Sequence, residues 1–189
     1  MSVRTLSIAA VLLAAPAFAD TLTLTPADPQ PEAGDLAQGL AVSYAYPSKL
    51  RTLEDATDAL RKGRDGPALR GLSYEDNTEG DLALTSRKAQ KVAAEIHGFI
   101  QFETAGTYTL DVISNDGVSV SIGGQQVALY DGVHACEPAG EQEVEVPQAG
   151  WYDINVTYFQ RKGSACLIMD WDVDGEMGPV PDAAFAYAE

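Results

Sequence analysis

Asn115 and Asp116 stand side by side in the stretch ISNDGVSVSIGGQQV, residues 113–127, two consecutive oxygen-bearing side chains ahead of Gly117. Oxygens in succession can help hold a hard cation such as calcium, which takes about six to eight oxygen ligands. The same tripeptide is also a hairpin-corner signal, because Asn and Gly accept positive φ between strands. Both readings stay open on residue type alone.

Other chemistry is sparse. Asp170, Asp172, Asp174 and Gly175 match the opening of an EF-hand loop, but its twelfth position is Pro181 and the bidentate Glu is missing. Those aspartates are expected on the solvent face of a last strand. The two histidines, His97 and His134, lack the spacing of a zinc site. His97 is expected to be exposed, and His134 to be a solvated loop residue or a ligand contact. No nucleophile elbow, P-loop or dinucleotide fingerprint occurs. Carboxylates are so numerous that pairing two of them for glycoside hydrolysis carries no information. The chain reads as non-catalytic.

Twelve basic residues against 28 acidic give a formal charge of −16, which repels nucleic acid and anionic lipid. Residues 1–19 have the layout of a cleavable secretory signal: Arg4, an apolar run from Ile8 to Ala15, and Ala17-Phe18-Ala19 before Asp20. No stretch reaches the roughly 18 apolar residues of a membrane span. The expected location is therefore outside the cytoplasm, periplasmic or secreted. In that compartment Cys136 and Cys166 are expected to form a disulfide, with two buried thiols as the alternative.

Residues 20–37, rich in Pro and Gly, read as a flexible lead-in. One helix is signalled by Thr52 as cap, Glu54 and Asp55 in the first turn, Arg61 and Lys62 in the last, and Gly63 as stop. Leu50, Leu53, Thr57 and Leu60 would form its inner stripe. Further on, inward residues alternate: Val92, Ala94, Ile96, Ile100 and Phe102, then Tyr108, Leu110 and Val112, then Val118, Val120 and Ile122. The pattern resumes through Tyr152, Ile154, Val156 and Tyr158 to Leu167, Met169, Trp171 and Val173. Short strands separated by glycines predict an all-β antiparallel sandwich or barrel over residues 38–176, with one short helix near the N-terminus and a C-terminal tail, 177–189.

The order of motifs resembles the protective-antigen fourteen domain family, a β-sandwich module of bacterial toxins, glycosidases and yeast flocculin adhesins. The residues that carry the likeness are Gly106-Thr107-Tyr108, Ser114-Asn115-Asp116-Gly117, Ile122-Gly123-Gly124, Gly150-Trp151-Tyr152, Tyr158 and Trp171. In the adhesin members a consecutive Asp-Asp pair, joined by a cis peptide, holds calcium with an Asn from a second loop, and the ion grips sugar hydroxyls. The resemblance implies a metal set of Asn115, Asp116 and Gln160. Asn115 departs from the first Asp, Gln160 from the loop Asn, and Arg161 and Lys162 follow it.

A ligand site would lie among residues 114–117, 130–137 and 160–163, using Asn115, Asp116, Tyr130, Asp131, His134, Gln160 and Arg161. Trp151 and Phe159, opposite in parity to Tyr152 and Tyr158, are expected to pack. The resemblance implies an exported, non-catalytic binding module for a glycan or glycoconjugate, calcium-assisted if a cofactor is used. The alternative is a protein-interaction or structural scaffold that has lost its metal.

Overall fold

A computed structural model describes residues 21–173 and 175–188; the signal expected at residues 1–19 lies outside them. The chain runs through β1 (Leu22–Thr23), β2 (Leu36–Gln38), β3 (Ala41–Ala45), α1 (Leu53–Leu60), β4 (Arg64–Asp65), β5 (Ser73–Tyr74), β6 (Val92–Phe102) and β7 (Gly106–Ser114). It continues through β8 (Val118–Ile122), β9 (Gln125–Tyr130), β10 (Glu137–Pro138), β11 (Gln142–Val146), β12 (Gly150–Gln160), β13 (Leu167–Val173), β14 (Glu176–Pro179) and β15 (Phe185–Ala188).

Two sheets result. One has the order β1-β11-β7-β13-β14, with β10 also on β7 and β5 on β13. The other has the order β2-β15-β6-β12-β8-β9, with β3 on β6 and β4 on β3. The pairing is antiparallel except for β1 on β11. The architecture is an open sandwich, and the barrel alternative falls away.

The alternation read from the sequence is the inner face. Val92, Ala94, Ile96, Ile100, Phe102, Leu110, Val112, Val118, Val120 and Ile122 are all buried in one core. Phe102 anchors an aromatic cluster between the sheets, with ring centroids 4.9 Å from Tyr108, 5.3 Å from Tyr152 and 5.7 Å from Trp171. Edge-on and tilted ring contacts of this kind add to the area they bury.

The glycine corners differ from expectation. β6 to β7, β7 to β8, β11 to β12 and β12 to β13 each pass from one sheet to the other. The segment 115–117 is thus an inter-sheet crossing, which corrects the hairpin-corner reading. A tight hairpin does join β8 to β9, where Gly123 and Gly124 take φ of 52° and 78° between the paired Ile122 and Gln125. Two successive positive φ values are what such a turn demands.

The lead-in is also different from the flexible segment expected. Leu22 and Thr23 pair with Val144 and Glu145, and Leu36, Ala37 and Gln38 pair with β15. Backbone N–H groups of Leu24, Thr25 and Ala27 donate to Glu145, Gly123 and Trp151 carbonyls. Pro26 falls between these donors and Pro29 and Pro31 follow them, where no N–H is used. The C-terminal segment likewise pairs into both sheets, through β14 on β13 and β15 on β6. The sandwich therefore extends past the 38–176 boundaries on both sides.

Helix α1 begins at the expected cap: the Thr52 side chain accepts from the Asp55 N–H at 3.1 Å. Its inward face is Ala56, with Leu53, Ala59 and Leu60 partly buried, while Thr57 is exposed. Leu50, Leu53 and Leu60 pack as predicted, and Ala56 takes the place of Thr57 in the stripe, where it and Ala59 let the helix lie close to the sheet. The helix covers the outer side of β6 and β12, which is why Ala93 and Phe159 are buried against inner-face parity.

Candidate functional site: a buried carboxylate where three loops meet

The crossing from β7 to β8 brings Asp116 against both of the other predicted loops. The Asp116 side-chain Oδ2 accepts from the Arg161 backbone N–H at 2.5 Å. Its own N–H donates to the His134 carbonyl at 3.3 Å, and its carbonyl accepts from Ser114 Oγ at 2.9 Å and lies 2.8 Å from His134 Nε2. Asn115 donates its N–H to the Cys166 carbonyl at 3.1 Å. The Cys136–Cys166 disulfide is formed, with Cα atoms 6.0 Å apart, so the 130–137 loop is tied covalently to the start of β13.

The backbone is unusual at Asp116, whose φ is 63°. A non-glycine residue there is uncommon and marks a position held by its surroundings. The Asn115–Asp116 peptide is trans, unlike the bond the resemblance implies. Gly117 answers a different need: a Cβ on it would fall 2.2 Å from Cε1 of Phe159. Phe159 in turn is held by α1, and its N–H donates to the Gly117 carbonyl at 2.9 Å.

Helix α1 also fixes the second loop, because Asp131 Oδ1 accepts from the Leu53 N–H at 2.7 Å. Asp131 is thereby engaged as a helix-terminus acceptor rather than as a rim group. His134, expected to be solvated, is mostly enclosed, since its ring stacks on Tyr130 at 3.8 Å between centroids. The stack and the Asp116 carbonyl together exclude water from it.

Electrostatics set the character of the site. Asp116 is 1% exposed, Asn115 7% and Gln160 0%. Burial pushes the Asp116 carboxyl above the ordinary carboxylate range, opposed by the Arg161 N–H and the His134 and Arg161 charges. Burial also raises the Tyr158 hydroxyl well above a usual phenol, with the Asp116 charge adding to it. Gln160 Nε2 donates to the Lys162 carbonyl at 2.8 Å and the Ser164 carbonyl at 2.5 Å, which fixes its amide orientation.

Four buried side-chain polar atoms lack a partner among the described residues, and three belong here: Asn115 Oδ1, Gln160 Oε1 and the Tyr158 hydroxyl. Buried polar atoms are nearly always paired, and Asn115 and Gln160 neighbour in sequence the two residues, Asp116 and Arg161, that the carboxylate bond joins. The donor set of Asn115, Asp116 and Gln160 is all oxygen, which suits calcium, although with one formal charge it suits it weakly.

Elsewhere the acidic decoy behaves as strand and turn. Asp170 sits opposite Asp111 and Pro179, and Asp172 Oδ1 accepts from the Gly175 N–H at 2.7 Å; Asp174 lies outside the described residues. His97 is exposed. Asp76 approaches both cysteine sulfurs, but these are bonded to each other and offer no thiolate to a metal. No described helix is long and apolar enough to cross a membrane.

Two mainly antiparallel sheets joined by crossing loops define a β-sandwich module. Residues 73–184 match the family described as the PA14 domain, and the chain belongs to that family. Among solved structures it is similar to the PA14 domain of the MpAFP antifreeze protein, at 18% identity and TM-score 0.69, covering 85% of this chain and 95% of that one. It is also similar to the PA14 sugar-binding domain from an RTX adhesin, at 17% identity and TM-score 0.66, covering 80% and 99%. A third is the Epithelial Adhesin 9 A domain from Candida glabrata in complex with Galβ1-3GlcNAc, at 12% identity and TM-score 0.67, covering 90% and 97%. No curated protein matches by sequence.

Proposed function

We propose that this chain is an exported, non-catalytic glycan-binding module, in the periplasm or beyond the cell, whose site is organised by a calcium ion. The observation that supports this most is that Asn115 Oδ1 and Gln160 Oε1 are buried without a partner, on the residues next to Asp116 and to Arg161, whose N–H the Asp116 carboxylate accepts. These three side chains would hold the ion. A bound calcium would offer coordination positions to a vicinal diol. The chain supplies the rest: the Arg161 N–H orients the carboxylate, the disulfide fixes the 130–137 loop, and the Tyr130–His134 stack closes its flank.

The neighbours give the first ligands to try. One is a sugar-binding domain of an adhesin and another holds Galβ1-3GlcNAc, so galactose-terminated disaccharides head the list. The rival reading is a protein-interaction or structural scaffold. It is favoured by the Asp116 Oδ2 being already engaged by a backbone amide. A glycan array run with millimolar calcium and with chelator tests both. Calcium-dependent glycan signal supports the module as proposed; a blank array under both conditions favours the scaffold.

A further inference from the structure

Apart from Arg4, every lysine and arginine of the chain falls within residues 49–91 or at 161–162. Three of them, Lys62, Arg64 and Arg87, line one open cleft of about 520 Å³ between the end of α1, β4 and the 84–88 segment. In a chain with 28 acidic residues, cations have carboxylates to hand. Lys49 and Arg61 use them, pairing with Asp55 and Asp58. Among the described residues, Lys62, Arg64 and Arg87 have no ion-pair partner. The cleft holds one carboxylate, Asp65, whose Oδ1 already accepts from Ser43 Oγ at 2.7 Å.

Buried Tyr44 and half-buried Tyr46 belong to the lining of this cleft, and its wall is pinned. The rings of Tyr44 and Tyr46 are 6.5 Å apart and 18° from parallel, and the Lys88 ammonium lies 5.1 Å from the Tyr46 centroid. The Tyr44 hydroxyl meets Thr85 Oγ1 at 2.8 Å, and Thr85 Oγ1 donates to the Pro67 carbonyl at 2.6 Å. Gly66 lies so flat on Tyr44 that a Cβ there would sit 2.6 Å from the ring. Leu84, just before the wall residues Thr85 to Arg87, holds a φ of 52°. Such backbone costs free energy and gathers at binding sites.

Unpaired guanidinium and ammonium groups in a cleft that tyrosines also line select an occupant with a carboxylate or a similar oxyanion on a hydroxyl-bearing ring. We propose that this cleft is a second binding site, for a saccharide that carries carboxylates, as a uronic acid does. It is separate from the Asp116 site in residues and in chemistry, since it needs no metal.

The test is calorimetric titration of the full chain with trigalacturonate, alongside its methyl ester, inorganic sulfate and triglutamate. The expected result is binding of trigalacturonate that weakens at least tenfold in the ester, in 0.5 M salt (roughly a fourfold shorter screening range than at 0.03 M) and in the double variant Arg64→Gln/Arg87→Gln. Near-UV circular dichroism confirms that the variant keeps its fold. Chelator leaves this binding unchanged, so its outcome is independent of the calcium reading. The proposal is overturned if trigalacturonate fails to bind at millimolar concentration or binds the double variant equally. It is also overturned if sulfate or triglutamate binds as tightly, which would make the cleft a general anion site or a peptide site.

Discussion

The Asp116 carboxylate receives the backbone N–H of Arg161 across 45 residues of chain, at 2.5 Å. That bond ties the crossing after β7 to the loop after β12, and so joins the two halves of the proposed site before any ligand arrives.

If calcium binds at Asn115, Asp116 and Gln160, it stabilises the folded state by mass action. At about 100 times its dissociation constant it adds about 2.7 kcal/mol. For a domain of this size the melting temperature rises by roughly 5 to 11 °C. Scanning calorimetry with calcium against chelator reads the shift, and Asp116→Ala abolishes it. A shift that survives the substitution places the ion elsewhere.

Burial raises the Asp116 carboxyl above its unfolded value, so the protonated form favours the fold. The contribution is fully present below about pH 4, the ordinary carboxylate range, and is lost as pH rises through the folded value. Urea midpoints in chelator, taken from pH 4 to 7, should fall for the wild type relative to Asp116→Asn. A wild type that gains on the variant over that window would contradict the burial argument.

Removing the disulfide frees a 30-residue separation in the unfolded chain. The double variant Cys136→Ser/Cys166→Ser should lose about 3 to 4 kcal/mol by the chain-entropy model. Thermal melts of wild type with and without reductant supply the same comparison. Equal melting temperatures would mean the 130–137 loop is held by the Asp116, Tyr130 and Asp131 contacts alone.

Gly117→Ala forces a Cβ into the Phe159 ring, which α1 prevents from moving aside. Overpacking of this type costs about 1–3 kcal/mol. Combining it with Phe159→Leu should give less than the sum of the two single losses, because the two residues compete for one space. Strict additivity in denaturant melts would show that the clash is relieved in another way.

Much of the sandwich was legible because one inner face imposes period-two burial on β6, β7, β8, β12 and β13. What periodicity could not convey is which sheet a strand joins. A glycine corner reads identically whether the chain turns back beside itself, as at Gly123-Gly124, or crosses over, as at Gly117. Phe159 packs as expected although its parity marks it as solvent-facing, because a helix on the outer side buries a second face there, and Ala93 with it. The three loops named from the resemblance meet at Asp116, which bonds to the Arg161 and His134 backbones. The enclosure of His134 and the diversion of Asp131 to the helix terminus depend on tertiary contacts with no local signature. The order in the lead-in was hidden because its prolines suggest a linker, while the N–H groups of Leu24, Thr25 and Ala27 beside them donate to carbonyls of the sandwich.

The strapping of both sheets by chain outside the recognisable motif governs how the module can be handled. A fragment cut at 73 and 184 would strip β6 of β3 and β15 and leave β11 without β1. Bare ladder edges of that length invite self-association, so a soluble fusion or graft has to carry the polypeptide from Thr21 through Ala188 intact.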